Sequence, residues 1–134
     1  MSFDITDYLE IQRLMHQFNL RFDDGDADGF ADLFAPDGVL ESASAGASAT
    51  PEARRAKVAD ASARRPAYRH FTTNVVIEPD GDERARATSC WLYMELHDGT
   101  IVTRGIGTYT DEIVKSDGRW LFFRRTATAT ASAA

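Results

Sequence analysis

Residues 67–79, "AYRHFTTNVVIEP", place a histidine, His70, in a run that otherwise reads as a buried strand. Strand side chains alternate between faces. On that pattern His70, Thr72, Asn74 and Val76 share one face, and Phe71, Thr73, Val75 and Ile77 the other. Polar groups on a covered face need partners or a task. An imidazole there becomes a general base when a carboxylate accepts from one ring nitrogen, fixes the tautomer and leaves the other nitrogen free. Asp23 is the candidate carboxylate. It follows Phe22 at the end of an amphipathic helix, at the margin of the apolar stripe. Each residue also has a plainer reading, His70 as a satisfied strand histidine and Asp23 as a helix-end carboxylate. Spacing alone does not bring the two together.

The elements that must position them are legible. Asp7 and Glu10 have capping-box spacing, and Ile11, Leu14, Met15, Phe18 and Phe22 form one stripe. The stripe stops at "DDGDADG", where Gly25 suits a C-cap and Asp26 caps a short second helix burying Phe30, Leu33 and Phe34. "APDG" reads as a turn and "VLES" as a short strand. "SASAGASAT" reads as a small-residue loop. Thr50–Pro51–Glu52 starts a third helix that runs to about Ala63. Four strands follow, turned at "PDGDE", "HDG" and "KSDG", which predicts an antiparallel meander. Helices first and sheet second means α+β. A strongly twisted antiparallel sheet with a helix across one face makes a cone whose interior suits a small ligand. The expected organisation is one domain, 1–134, with a loose tail from about residue 129.

Composition narrows the partners. The net charge is −6, and there are 15 Lys and Arg against 21 Asp and Glu. No basic stripe with interleaved aromatics exists, which argues against nucleic acid. Arg54, Arg55, Lys57, Arg64 and Arg65 form the one basic patch, read as the solvated face of a helix. No apolar run approaches a membrane span, and the acidic start does not read as a signal peptide. A single cysteine, Cys90, excludes an internal disulfide and fits a cytoplasmic protein. It has no adjacent base and reads as core. Three scattered histidines lack metal-ligand spacing, so no metal is expected, and the chain has no glycine-rich phosphate loop.

Three segments together resemble the SnoaL-like branch of the nuclear-transport-factor-2-like superfamily. They are "F-D-D-G-D-x-D-G-F-A-D-L-F-A-P-D-G", "H-F-T-T-N" and "G-T-Y-T-D-E-I-V-K-S-D-G-R-W-L-F-F-R-R". The resemblance covers about residues 5–128 and implies an α+β barrel: a cone-shaped curved antiparallel sheet with N-terminal helices packed across its concave face. Within that branch, scytalone dehydratase and hexachlorocyclohexane dehydrochlorinase are cofactor-free lyases with an Asp–His pair. The resemblance maps their aspartate to Asp23, their histidine to His70 and an active-site arginine to Arg125. The dehydratase's tyrosine before the aspartate is Phe22 here, and the dehydrochlorinase's lysine is Phe18.

The implied activity is a lyase of dehydratase or dehydrohalogenase type acting on a small hydrophobic molecule. His70, Asp23 and Arg125 would be catalytic, with Phe18, Phe22, Phe34, Thr72, Asn74 and Tyr93 binding substrate. An isomerase or polyketide-type cyclase would use the same pair, and a non-catalytic ligand-binding module would not need it. The resemblance also implies a homodimer or homotrimer.

Overall fold

A computed structural model of the chain describes residues 2–42 and 46–132. The elements run α1 (Ile5–Asp23), α2 (Ala27–Ala31), β1 (Phe34–Ser42), β2 (Gly46–Ser48), α3 (Pro51–Arg64), β3 (Tyr68–Pro79), β4 (Arg84–His97), β5 (Thr100–Ser116) and β6 (Arg119–Ser132). The six strands form one curved sheet in the order β2-β1-β6-β5-β4-β3. The expected meander is β3 to β6, and every neighbouring pair in it is antiparallel. The sheet is mixed rather than wholly antiparallel, because β1 lies parallel to β6. A parallel neighbour needs a long crossover. The chain between β1 and β6 supplies one, since it includes α3 and the whole β3–β5 ladder.

Helix α1 lies in the concave face. Ile11, Leu14, Met15, Phe18 and Phe22 are buried in the core with Phe30, Phe34, Ile113 and Phe122. Phe18 is the hub, with ring centroids 5.0 Å from Phe30, 5.7 Å from Tyr109 and 5.7 Å from Phe122. Tilted and edge-on contacts of this kind add to plain area burial.

Several local expectations are corrected. The α1 N-cap is Asp4, and its capping box closes through Asp7 rather than running from Asp7 to Glu10. The "APDG" stretch belongs to β1 and contains a break in register between Phe34 and Val39. Arg54 explains how it is held. Fully buried over the Phe34 ring, Arg54 donates from Nη1 to the Gly38 carbonyl at 2.7 Å and from Nη2 to that of Ala35 at 3.3 Å. Within the expected small-residue loop, residues 46–48 pair with β1, and 43–45 lie outside the described residues. The expected loose tail is strand as far as Ser132, which pairs with Gly105, and the last two residues also lie outside the described set.

The strict alternation read for β3 fails at one point. Asn74 has φ 56°, and the register with β4 shifts between Thr73 and Val76. Asparagine tolerates this left-handed conformation better than most residues. The bulge moves the inward set by one. His70 and Thr72 face the concave side before it, while Val75 packs on the core and Ile77 joins it after. Asn74 and Val76 are exposed.

Asp7 ties α1 to the far end of the sheet. It accepts from the Asp4 backbone N–H at 2.9 Å, from Trp120 Nε1 at 2.9 Å and from Lys115 Nζ at 3.2 Å. The backbone bond from Asp4 and the indole bond, helped by Lys115, hold its carboxyl at about 2 against the opposing effect of burial. A depressed carboxylate stabilises the fold above its unfolded value of 3.8, and that contribution is lost as pH falls through about 2. Asp7→Asn is therefore expected to be less stable than wild type at pH 7, with the gap closing between pH 4 and pH 2. Urea unfolding midpoints across that range measure it. A gap independent of pH would show that Asp7 acts through shape alone.

Candidate active site

The end of α1 and the start of β3 meet at the concave face, and Asp23 meets His70 there. Asp23 Oδ1 lies 2.6 Å from His70 Nδ1, and Oδ2 accepts from the His70 backbone N–H at 2.7 Å. One residue thus occupies both carboxylate oxygens, which fixes ring and main chain together. The Asp23 side chain is 1% exposed and that of His70 16%. With Nδ1–H donated to the carboxylate, Nε2 is the nitrogen left to accept a proton. The imidazole stacks on Tyr93 at 4.5 Å and 25°, and Phe22 meets its edge at 5.6 Å. Tyr93 is there because it is the direct β4 partner of His70 in the ladder.

His70 opens onto a cavity of about 400 Å³. Phe18, Phe22, Leu40, Trp91, Tyr93 and Tyr109 supply much of its apolar wall. Asn19, Lys57, Arg65, Glu95 and Arg104 supply polar groups. Gly107 is needed behind Trp91, since a Cβ there would collide with the indole and with the Thr128 carbonyl.

Of the residues read from the sequence, His70, Phe18, Phe22 and Tyr93 line this cavity. Asp23 lies directly behind His70. Thr72 faces the concave side, but its hydroxyl accepts from Asn19 Nδ2 at 2.6 Å. Three placements differ from expectation. Asn74 is turned outward by the bulge, with its amide 3.8 Å from Cys90 Sγ. Phe34 is core, packed on Phe18 and Phe122, and does not line the cavity. Arg125 is fully buried and also lies outside the lining. Its guanidinium sits 3.6 Å from the Tyr109 ring centroid and 4.3 Å from that of Phe18, with Nε 3.0 Å from Asp111 Oδ1. Tyr109 and Phe18 both line the cavity, so Arg125 stands behind the wall.

Asn19, Lys57, Arg65, Trp91, Glu95, Arg104 and Tyr109 escaped the sequence reading. Three of them had a signal. Asn19 sits one helical turn before Asp23, a polar group inside the apolar stripe. Trp91 and Glu95 alternate with Tyr93 along one strand. The basic patch on α3 was misjudged in part: Arg55 and Arg64 are exposed as expected, but Arg54 is core, and Lys57 and Arg65 line the cavity.

Glu95 organises the mouth. It accepts from the Tyr93 hydroxyl, lies 2.7 Å from His97 Nε2 and pairs with Arg104 Nε at 3.3 Å. Burial opposes its ionisation, but these partners outweigh that and hold its carboxyl below the usual range. Burial, and then the bond to Glu95, push the Tyr93 phenol up. Burial pushes the Tyr109 phenol up to about 12, against the Arg125 charge. Both phenols are neutral hydrogen-bonding groups near pH 7. Among the described residues, no cluster of His, Cys, Asp and Glu could hold a metal ion, and no helix is long and apolar enough to cross a membrane.

Solved structures share this architecture. The Rv3472 (D26N) protein of Mycobacterium tuberculosis, of unknown function, superimposes with a TM-score of 0.84 at 29% identity, covering 92% of this chain and 72% of its own. A scytalone dehydratase candidate from Novosphingobium aromaticivorans gives 0.85 at 22% identity, over 96% of this chain and 87% of its own. Aln2 from a Streptomyces species gives 0.83 at 19% identity, over 96% of this chain and 94% of its own. No curated protein sequence matches. Residues 4–126 match the SnoaL-like domain, a span that takes in α1 and the Asp23–His70 dyad, and the chain belongs to that family.

Proposed function

We propose that the protein is a cofactor-independent lyase that uses the Asp23–His70 pair to remove a proton from an activated carbon of a small hydrophobic substrate. The observation that carries this reading is the double engagement of Asp23 by His70 at the wall of an aromatic cavity. His70 Nε2 takes the proton. The electron pair of the broken C–H bond forms the new double bond, and the leaving group on the adjacent carbon departs with its own bonding pair. A halide leaves as such and the His70 imidazolium then gives its proton to solvent; a hydroxyl leaves as water by taking that proton from the imidazolium. Asp23 orients the ring and offsets the imidazolium charge. With Arg125 behind the wall and Asn74 outside, the Asn19 amide is the neutral donor on the cavity wall, with one N–H beyond the one given to Thr72 to steady developing negative charge, and the Tyr109 hydroxyl donates to its Oδ1 at 3.3 Å and holds it in place. The name of the Novosphingobium structure agrees with an elimination.

Product analysis tests the reaction type. Elimination releases water or halide in step with product. An isomerase or cyclase on the same dyad releases neither and returns the proton to carbon. Asp23→Asn and His70→Ala should each abolish most turnover while leaving the far-UV circular dichroism unchanged. Activity that survives both changes points to a binding module.

The convex side of the sheet suits a second copy of the chain. Phe71, Leu92 and Ile106 stand opposite one another across β3, β4 and β5. Phe71 is 52% exposed, and Ile101 and Leu96 beside this row are also open. An apolar patch of this kind marks an association surface. Phe71→Glu with Ile106→Glu is expected to shift a dimer or trimer to a monomer in sedimentation velocity. A wild-type protein that already sediments as a monomer overturns the assignment.

A further inference from the structure

Arg65 is a cation without an anion. It follows α3 and lines the cavity. Its guanidinium lies 5.0 Å from the Tyr93 ring centroid, 5.3 Å from that of Tyr68 and 5.4 Å from that of Phe22. Nη1 is buried and has no hydrogen-bond partner. Among the described residues no carboxylate lies within ion-pair distance of it. Glu95, the acidic group of the cavity wall, is already taken by Tyr93, His97 and Arg104. Lys57 compounds the imbalance. It lines the same cavity, and burial, together with the Arg65 charge, holds its ammonium below the usual range. Two positive groups thus share a partly dry space with aromatic walls and no counter-charge of their own.

We propose that the Arg65 end of the cavity is an anion subsite, and that its ligand is a planar conjugated molecule carrying a carboxylate. Flat walls select the planar body: Trp91 and Tyr93 line one side, and Gly105 lets the indole lie close against β5. The guanidinium, held by three rings at the cavity wall, supplies the positive charge that draws the carboxylate, an interaction that gains from being charge-assisted. Arg65 and His70 both line this cavity, and both contact the Tyr93 ring between them in the fold. A ligand anchored at Arg65 therefore puts the atoms next to its carboxylate in reach of His70. That last step rests on the acid–base reading above; the anion subsite does not.

Calorimetric titration of the purified protein with 2-naphthoate and with its neutral counterpart 2-naphthamide tests the subsite. Wild type should bind the carboxylate about tenfold or more tightly than the amide. Arg65→Gln should bring the two within about twofold of each other, within the spread expected for one charge-assisted contact. Amide affinity should stay unchanged in that variant, which also reports an intact cavity. Arg65→Lys should restore part of the preference, and His70→Ala should keep all of it. Equal binding of both probes by wild type, no binding of either, or a preference that survives Arg65→Gln overturns the proposal. A preference that persists in a protein with no His70-dependent turnover leaves the subsite standing and removes the lyase.

Discussion

His70→Ala is expected to lower kcat by about 10²–10⁴, the range that a positioned general base contributes. The prediction is sharpened by what the change leaves behind. Asp23 would keep only the backbone N–H of residue 70, and its other oxygen would be buried beside a void. A fall in activity could then reflect a disturbed α1–β3 contact. His70→Gln separates the two effects. Glutamine can donate toward Asp23 but has no basic nitrogen, so it should restore stability without restoring kcat. Asp23→Asn attacks the pair from the other side. It removes the charge that offsets the imidazolium and sets an amide against two N–H donors that the carboxylate now accepts. If the residues act as a unit, the double variant Asp23→Asn, His70→Ala should be little slower than the worse single variant. Steady-state kinetics and thermal melts on the four proteins decide the matter. A His70→Gln enzyme within about tenfold of wild type would remove His70 as the base, because that loss falls below what general-base catalysis supplies.

The dyad was legible in pieces and not as a contact. Periodicity places Asp23 at the end of a core-facing helix and His70 on the covered side of a strand. Nothing local says that the two ends meet, because they lie 47 positions apart along the chain. Only the motif order, a resemblance at the level of a family, carried that pairing. Helix limits and the β3–β6 meander followed from caps, stripes and turn residues, which act over a few positions. What failed was non-local. The parallel pairing of β1 with β6 depends on a crossover that no short window reveals. The Asn74 bulge reverses the inward and outward sets of β3 through one φ angle, and a two-residue alternation cannot foresee it. The α3 arginines show the same limit. Arg54, Arg55, Lys57, Arg64 and Arg65 look alike in sequence, yet the helix turns Arg54 into the core and Arg55 toward Asp28 in solvent. Charge predicted exposure for all five; the carbonyls of Ala35 and Gly38 decided otherwise for Arg54, and Lys57 and Arg65 turn to the cavity wall.

Arg125→Met is expected to destabilise the fold by about 3–5 kcal/mol at neutral pH, the usual cost of leaving a buried charge unpaired. Arg125 and Asp111 stand directly opposite each other on β6 and β5, and neither side chain is exposed. Methionine fills much of the arginine's volume, so the loss comes from electrostatics rather than a cavity. The partner explains the sign. Burial already pushes the Asp111 carboxyl above its usual value, and the charge of Arg125, with Nε 3.0 Å from Oδ1, opposes that push. Without Arg125 the carboxyl rises further. A raised carboxyl favours the folded state fully below the unfolded value of 3.8 and loses that contribution as pH climbs through the folded value. Arg125→Met should therefore lose stability, relative to wild type, as pH rises from about 4 toward 7. Adding Asp111→Asn should remove most of that slope, and Asp111→Leu with Arg125→Met should approach wild-type stability, since apolar replacements of buried pairs are often neutral. Urea unfolding at several pH values reads all three. The same variants test whether the family's arginine acts on substrate in this chain. Behind Tyr109 and Phe18 it cannot touch a ligand, so kcat of the Asp111→Leu, Arg125→Met protein should stay within about tenfold of wild type, well short of the loss expected for a group that stabilises the transition state directly. A stable double variant that has lost about 10² or more in kcat would mean that the Tyr109 wall opens during turnover and that Arg125 reaches the cavity after all.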